Sequence, residues 1–100
     1  MNYLLSQEAE DDLVEVYDRS LDDWGEAQAD KYLDGLYAAF AALSIRPLAG
    51  RVRPEVGVAV RSRLYGSHVI FYMVRTERVD ILRILHQARD LDPAFGDQDP

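Results

Sequence analysis

Arg61-Ser62-Arg63-Leu64-Tyr65-Gly66-Ser67-His68-Val69-Ile70-Phe71-Tyr72, followed by Ile81-Leu82-Arg83-Ile84-Leu85-His86, decides the fold of this chain. β-Branched and aromatic residues dominate both runs, which predicts strands over Val58–Tyr65, His68–Val74 and Val79–His86. Gly66-Ser67 reads as a two-residue hairpin turn and Thr76-Glu77 as the next. Those turns pair Tyr65 with His68 and Arg75 with Arg78, and alternation then sorts the side chains onto two faces. One face carries Val60, Leu64, Val69, Phe71, Met73, Leu82 and Ile84, and is expected to pack on helices. The other carries Arg61, Arg63, Tyr65, His68, Ile70, Tyr72, Ile81, Arg83 and Leu85. An Arg set into an apolar strand is costly unless that face meets water or a partner. The mixed face, with His86 at the strand end, is therefore expected to be exposed and to contact a protein or nucleic acid.

Upstream, Tyr3-Leu4-Leu5 predicts a short first strand, and Ser6 an N-cap followed by acidic turns that the helix dipole favours. Ala9, Leu13, Val16/Tyr17, Ser20/Leu21 and Trp24 recur at helical spacing, and Gly25 suits the C-cap. A second helix begins near Glu26, with Ala29, Tyr32/Leu33, Leu36, Phe40 and Leu43 as its apolar stripe. Pro47 ends it. With almost no linker, the two helices predict an antiparallel hairpin, with Trp24 as a core anchor at its corner. Pro47–Gly57 reads as a loop. The expected fold is α+β: an N-terminal strand, a helical hairpin, then a three-stranded antiparallel meander in one domain over 1–90. Residues 91–100 form an acidic tail with two Asp-Pro steps and few apolar anchors, expected to fray, with Phe95 as the exception, able to dock on the domain.

The net charge of −7 is unevenly spread. Residues 1–45 hold eleven acids against Arg19 and Lys31, a balance of −9, whereas residues 46–89 hold nine arginines against Glu55, Glu77 and Asp80, a balance of +6. Such a split allows an anionic partner for the second half, or simple attraction between the halves. The absence of cysteine removes disulfides and thiolate metal sites and suits a reducing cytoplasm. No apolar stretch approaches the roughly 20 residues of a membrane helix. Two histidines without ligand spacing make no metal site, and no cofactor motif is present.

Leu5-Ser6 with Ala9 and Asp12-Leu13, Trp24-Gly25-x-x-Gln28-Ala29-x-x-Tyr32, Pro47-x-x-Gly50-Arg51, Arg61-Ser62, His68-x-Ile70-Phe71-Tyr72 and Ile84-Leu85-His86 follow one another in this order. No single piece is specific, but the ordered set resembles the ParE branch of the RelE/ParE toxin superfamily of bacterial toxin–antitoxin operons. The resemblance covers residues 3 to 90. It implies a cytoplasmic toxin that causes growth arrest by inhibiting DNA gyrase and is neutralised by a ParD-like antitoxin, a ribbon-helix-helix protein encoded beside it. It also implies a role in plasmid or chromosomal stability. No membrane and no nucleic acid is expected as a direct partner.

RelE-like relatives instead cut messenger RNA on the ribosome, and the residue types allow that as an alternative. Arg61, Arg63 and Arg83 supply cations, and His68 or His86 a proton carrier. Against it, the strand half has no Lys, and Arg is too basic for general acid–base work at neutral pH. A non-toxic remnant that only binds antitoxin is the other alternative. The expectation is a protein that is not an enzyme, with no catalytic residues. Structural roles compete with these: His86 bonding neighbouring backbone, and Arg83 pairing with an acid from the helices.

Overall fold

The computed structural model describes residues 2–87. In chain order it comprises β1 (Asn2–Leu5), α1 (Gln7–Trp24), α2 (Glu26–Ile45), a 3-10 turn (Pro47–Ala49), β2 (Arg51–Val52), β3 (Val60–Tyr65), β4 (His68–Val74) and β5 (Arg78–His86). The acidic tail and Phe95 lie outside the described residues.

The helix boundaries follow from local chemistry. The Ser6 hydroxyl accepts from the Ala9 N–H at 3.0 Å and donates to the Leu82 carbonyl at 2.8 Å. It therefore caps α1 and fastens it to β5 in one stroke. Gly25, with φ of 91°, ends α1 and admits α2 without a linker, a conformation that an L side chain resists. Along α2, Ala29, Leu36, Phe40 and Leu43 are buried, as the stripe predicts. A Cβ at Gly35 would collide with the Tyr65 hydroxyl, so that glycine lets β3 lie close against the helix.

The sheet has five strands in the order β1-β5-β4-β3-β2. The β3–β4 register is the predicted one, with Tyr65 opposite His68, Arg63 opposite Ile70 and Arg61 opposite Tyr72. Two strand contacts go beyond the meander. β1 joins β5 in parallel, and the two-residue β2, within the predicted loop, pairs with β3. Ala59 has φ of 67°, and β3 begins at Val60 rather than Val58.

The structure inverts the expected roles of the two faces. Ile70, Tyr72, Ile81 and Ile84 pack with Leu13, Val16, Leu36 and Phe40 in the main core, while Tyr65 packs at its edge. Val60, Phe71 and Leu85 form a second, smaller core with Val56, Val69, Met73 and Leu82, covered in part by the loop before β3. Alternation sorted β3 and β4 correctly, but the mixed face is the one the helices cover. Ile70, Tyr72 and Ile81 have no exposed surface, and Leu85 is buried in the second core. They are therefore not exposed contact residues. The Tyr72 hydroxyl makes this possible: it accepts from the Gly50 N–H and donates to the Pro47 carbonyl, each at 2.8 Å.

On β5 the alternation itself breaks. Tyr72 faces Ile81, but Phe71 faces Arg83 and Ile70 faces Ile84, with a register shift between Phe71 and Tyr72. This bulge puts Ile81 and Ile84 in the main core and Leu82 and Leu85 in the second. Arg83 consequently stands opposite Phe71 rather than Ile70. Trp24 is a further correction. It is 72% exposed at the corner of the hairpin, as the last residue of α1 before Gly25.

Candidate interaction surface

Arg83 lies in the bulge. Its Nε donates to Asp12 Oδ2 at 2.8 Å and its Nη2 to Asp12 Oδ1 at 3.0 Å, a two-pronged contact. The same carboxylate accepts the Ile84 backbone N–H at 2.9 Å. Asp12 thus receives three N–H bonds from the bulged segment and ties α1 to it. The Asp12 hydrogen bonds hold Arg83 still further above its ordinary, already high pKa, outweighing the opposing effect of burial. The pairing of Arg83 with a helix acid is the structural role weighed from the sequence, and Asp12 is the acid.

Arg61 donates to the Gly50 carbonyl at 2.8 Å and Arg63 to the Ala49 carbonyl at 3.2 Å. Both guanidinium groups therefore hold the turn after α2 against the sheet, although Arg63 remains exposed. Arg53 reaches Glu55 at 2.6 Å and Ser62 at 3.0 Å, and lies 5.4 Å from the Phe71 ring centroid. Its hydrogen bond holds the Glu55 carboxyl below its usual range. Arg75 and Arg78 share Asp80, at 2.8 and 2.7 Å. Burial pushes that carboxyl up, but the two arginines outweigh it and hold it low. The expected basic cluster of Arg61, Arg63 and Arg83 is not assembled: Arg83 is on Asp12, and the other two are on the turn at Ala49 and Gly50.

At the opposite end of the sheet the β3–β4 turn meets α2. The Tyr32 hydroxyl lies 2.7 Å from His68 Nδ1 and 3.2 Å from the Tyr65 carbonyl, and accepts the Ser67 N–H at 3.1 Å. The His68 and His86 rings, on directly paired residues, stand edge to face with centroids 5.3 Å apart. Burial, and next the neighbouring His86, lower the pKa of His68 to about 4. At neutral pH its imidazole is uncharged and can accept the Tyr32 proton at Nδ1. Burial raises the Tyr32 pKa, against the lowering effect of the Ser67 N–H. Tyr65 is half-buried here and His86 is exposed.

Beside this cluster lies a cleft of about 730 Å3 between the second half of α1, the start of α2 and the ends of β4 and β5. Tyr32, His68, Leu85 and His86 line its floor, and Trp24 with Asp18 and Asp22 its rim. Of the predicted contact residues, the structure brings His68, Leu85 and His86 to this cleft and places Arg61 and Arg63 elsewhere. The sequence reading placed Trp24 in the core and read the acids of α1 as ordinary solvated surface, so it did not single out Trp24, Asp18 and Asp22 as neighbours on one cleft. The one signal was the run Asp22-Asp23-Trp24, an aromatic within acids where a core anchor would sit among apolar neighbours. Among the described residues no group of three or more His, Cys, Asp or Glu side chains could hold a metal ion. No described helix is long and apolar enough to cross a membrane.

Known proteins share this frame. Among solved structures, a chain of the chromosomal ParDE toxin–antitoxin system of P. aeruginosa superposes with a TM-score of 0.73 at 23% identity, covering 86% of this chain and 95% of that one. A chain of the toxin–antitoxin complex RelBE2 of Mycobacterium tuberculosis gives 0.63 at 24%, covering 86% and 96%. At these identities the likeness is one of fold. Sequence likeness goes further. Toxin ParE1 of Mycobacterium tuberculosis is 40% identical over 91 residues, 90% of this chain and 93% of that protein. Toxin ParE1 of Caulobacter vibrioides is 36% identical over 94 residues, 94% and 97%. A model of the family described as the ParE toxin of the type II toxin–antitoxin system parDE matches residues 3–91. Because these matches run nearly end to end over the strand, hairpin and meander built above, the chain belongs to the ParE toxin family of type II toxin–antitoxin systems.

Proposed function

We propose that this toxin acts in the cytoplasm by binding and inhibiting DNA gyrase, and that a ParD-like antitoxin neutralises it. Family membership supports the toxin's target class. The observation that favours binding over hydrolysis is the occupancy of the groups an RNA-cleaving site would need. Such a site needs a base, an acid and free cations around the phosphate. His68 is uncharged at neutral pH and engaged at Nδ1 by Tyr32, so it carries no acidic imidazolium proton to give and has little basicity with which to take one. Arg83 is engaged by Asp12 in a two-pronged contact, and Arg61 and Arg63 by backbone carbonyls. The polar residues of the strands act within the fold, and the toxin works as a binding protein without a catalytic step.

Induction of the chain alone tests this. The expected result is growth arrest with filamentation and a DNA-damage response, inhibition of gyrase supercoiling by the purified protein, and relief of both by the antitoxin. Translation-dependent cleavage of messenger RNA on induction, lost in His86→Ala while the variant still folds, would replace this reading with the ribonuclease one. Normal growth on induction would mark a protein that only binds antitoxin.

A further inference from the structure

The cleft beside Trp24 combines features that no structural role explains. Its floor offers aromatic surface from the half-buried rings of Tyr32 and His68, with Ile84 and Leu85 buried beneath them. Its rim is acidic, with Glu15, Asp18, Asp22 and Asp23 along α1. Among the described residues the rim's ion pair is Arg19 with Asp23, at 3.8 Å and with both side chains mostly exposed. Trp24 overlooks the cleft with 72% of its surface in water. An indole held in solvent at a groove's edge offers a π-face to a cation, and desolvation strengthens that contact. The charge also selects the occupant. Residues 90–100 of this chain carry four further acids, the wrong sign for this rim, and a second copy presenting the same face is equally mismatched.

We infer that this cleft docks a cationic, amphipathic segment of the antitoxin, with apolar side chains against the Tyr32 and His68 rings and Lys or Arg side chains against Asp18, Asp22 and the Trp24 ring. The inference rests on the toxin–antitoxin reading above and names the chemistry of the partner. It reverses the polarity that the arginine-rich strands imply: the toxin supplies the carboxylates and the antitoxin the cations. Contacts to the Tyr32, His68 and Trp24 rings provide the anchor, and the rim charges set register and association rate.

The test uses the full chain and, as probe, the purified ribbon-helix-helix protein encoded beside it. Fluorotryptophan is placed at Trp24, the chain's single tryptophan, so that fluorine NMR reports on one site whatever the partner contains. Asp18→Lys/Asp22→Lys is compared with Glu10→Lys/Asp34→Lys, which makes the same charge change on exposed helix positions outside the cleft. The expected result is a shifted Trp24 resonance on binding, affinity about ten-fold weaker for the cleft variant, and affinity within about two-fold of wild type for the other. Equal weakening of both variants would reduce the effect to bulk charge and overturn the inference, as would unchanged affinity in both or an unmoved Trp24 resonance. Folding of each variant is checked by its unfolding midpoint. If the antitoxin fails to bind or neutralise the wild-type chain at all, the partner assignment falls. If it neutralises while the cleft variant binds normally, only the cleft assignment falls.

Discussion

The arginines after residue 45 and the carboxylates of the helical hairpin are used in opposite ways. Six of the eight described arginines in the second half (Arg53, Arg61, Arg63, Arg75, Arg78 and Arg83) make side-chain hydrogen bonds within the domain. Of the eleven acids in residues 1–45, only Asp12 is buried, and the others stand on exposed or partly exposed turns. A guanidinium on a long apolar stem can reach a backbone carbonyl or a buried carboxylate and remain satisfied there. A short Asp or Glu on a solvated helix face has no such reach. The rare charge type is therefore largely absorbed by the fold, and the common one is left to define the surface. Charge counted along the sequence points to the arginines as the contact set, whereas their bonding partners leave that role to the acids.

The largest effect is expected where this division is crossed, at Asp12. Replacing it with Ala removes both of its hydrogen bonds to Arg83 and leaves the Ile84 N–H without its acceptor, costing about 3 kcal/mol in urea unfolding. Arg83→Ala should also destabilise, by roughly 1–3 kcal/mol, because it removes two charge-assisted bonds rather than an exposed cation. A fully stable Arg83→Ala protein would show that the pair is not holding the bulge.

Tyr72→Phe comes next. It removes the donor to Pro47 and the acceptor of the Gly50 N–H inside the main core, and an unfolding free energy lowered by about 2 kcal/mol in urea titration is expected. Arg61 and Arg63 hold the same turn through carbonyls, so Tyr72→Phe combined with Arg61→Ala should depart from additivity in a double-mutant cycle.

Stability should also depend on pH through His68. Its folded pKa of about 4 lies below the unfolded value of 6.5. As pH falls from about 6.5 towards 4, the unfolded chain takes the proton first, so stability declines across that window and is fully present above it. His86 and Tyr32 are its nearest polar neighbours, and Asp12 opposes the shift. His68→Gln should flatten the profile over that range in pH-dependent thermal unfolding, and an unchanged slope would assign it to other groups. The smallest effect belongs to the Arg19–Asp23 pair, with 75% and 54% of the side chains exposed. Arg19→Ala is expected to alter stability by less than about 0.5 kcal/mol.

Much of the frame was legible because local rules act within a few residues. Ser6 and Gly25 bracket α1, Pro47 follows the end of α2, and Gly66-Ser67 sets the β3–β4 register. Alternation correctly divided β3 and β4 into two faces. It could not say which face the helices cover, because both are apolar enough to form a core, one around Ile70 and Tyr72 and the other around Phe71 and Val60. The β5 bulge has no residue-type signature. It is fixed by Asp12, 72 positions from the Ile84 N–H it accepts. β2 is two residues long and gains its pairing only from β3. Trp24 fitted the helical period, but it is the last residue of α1, and a period does not say whether a helix's end is covered. The candidate site was less legible than the fold, since an arginine in a strand reads the same whether it faces a partner or a carbonyl of its own chain.

Antitoxin affinity of a folded Arg83→Gln protein tests the division most directly. Under conditions where its unfolding curve shows it native, the account predicts binding within about two-fold of wild type, because that arginine serves the fold and not the partner. Affinity weakened by about ten-fold or more in the native variant would contradict it and return recognition to the arginines of the strands.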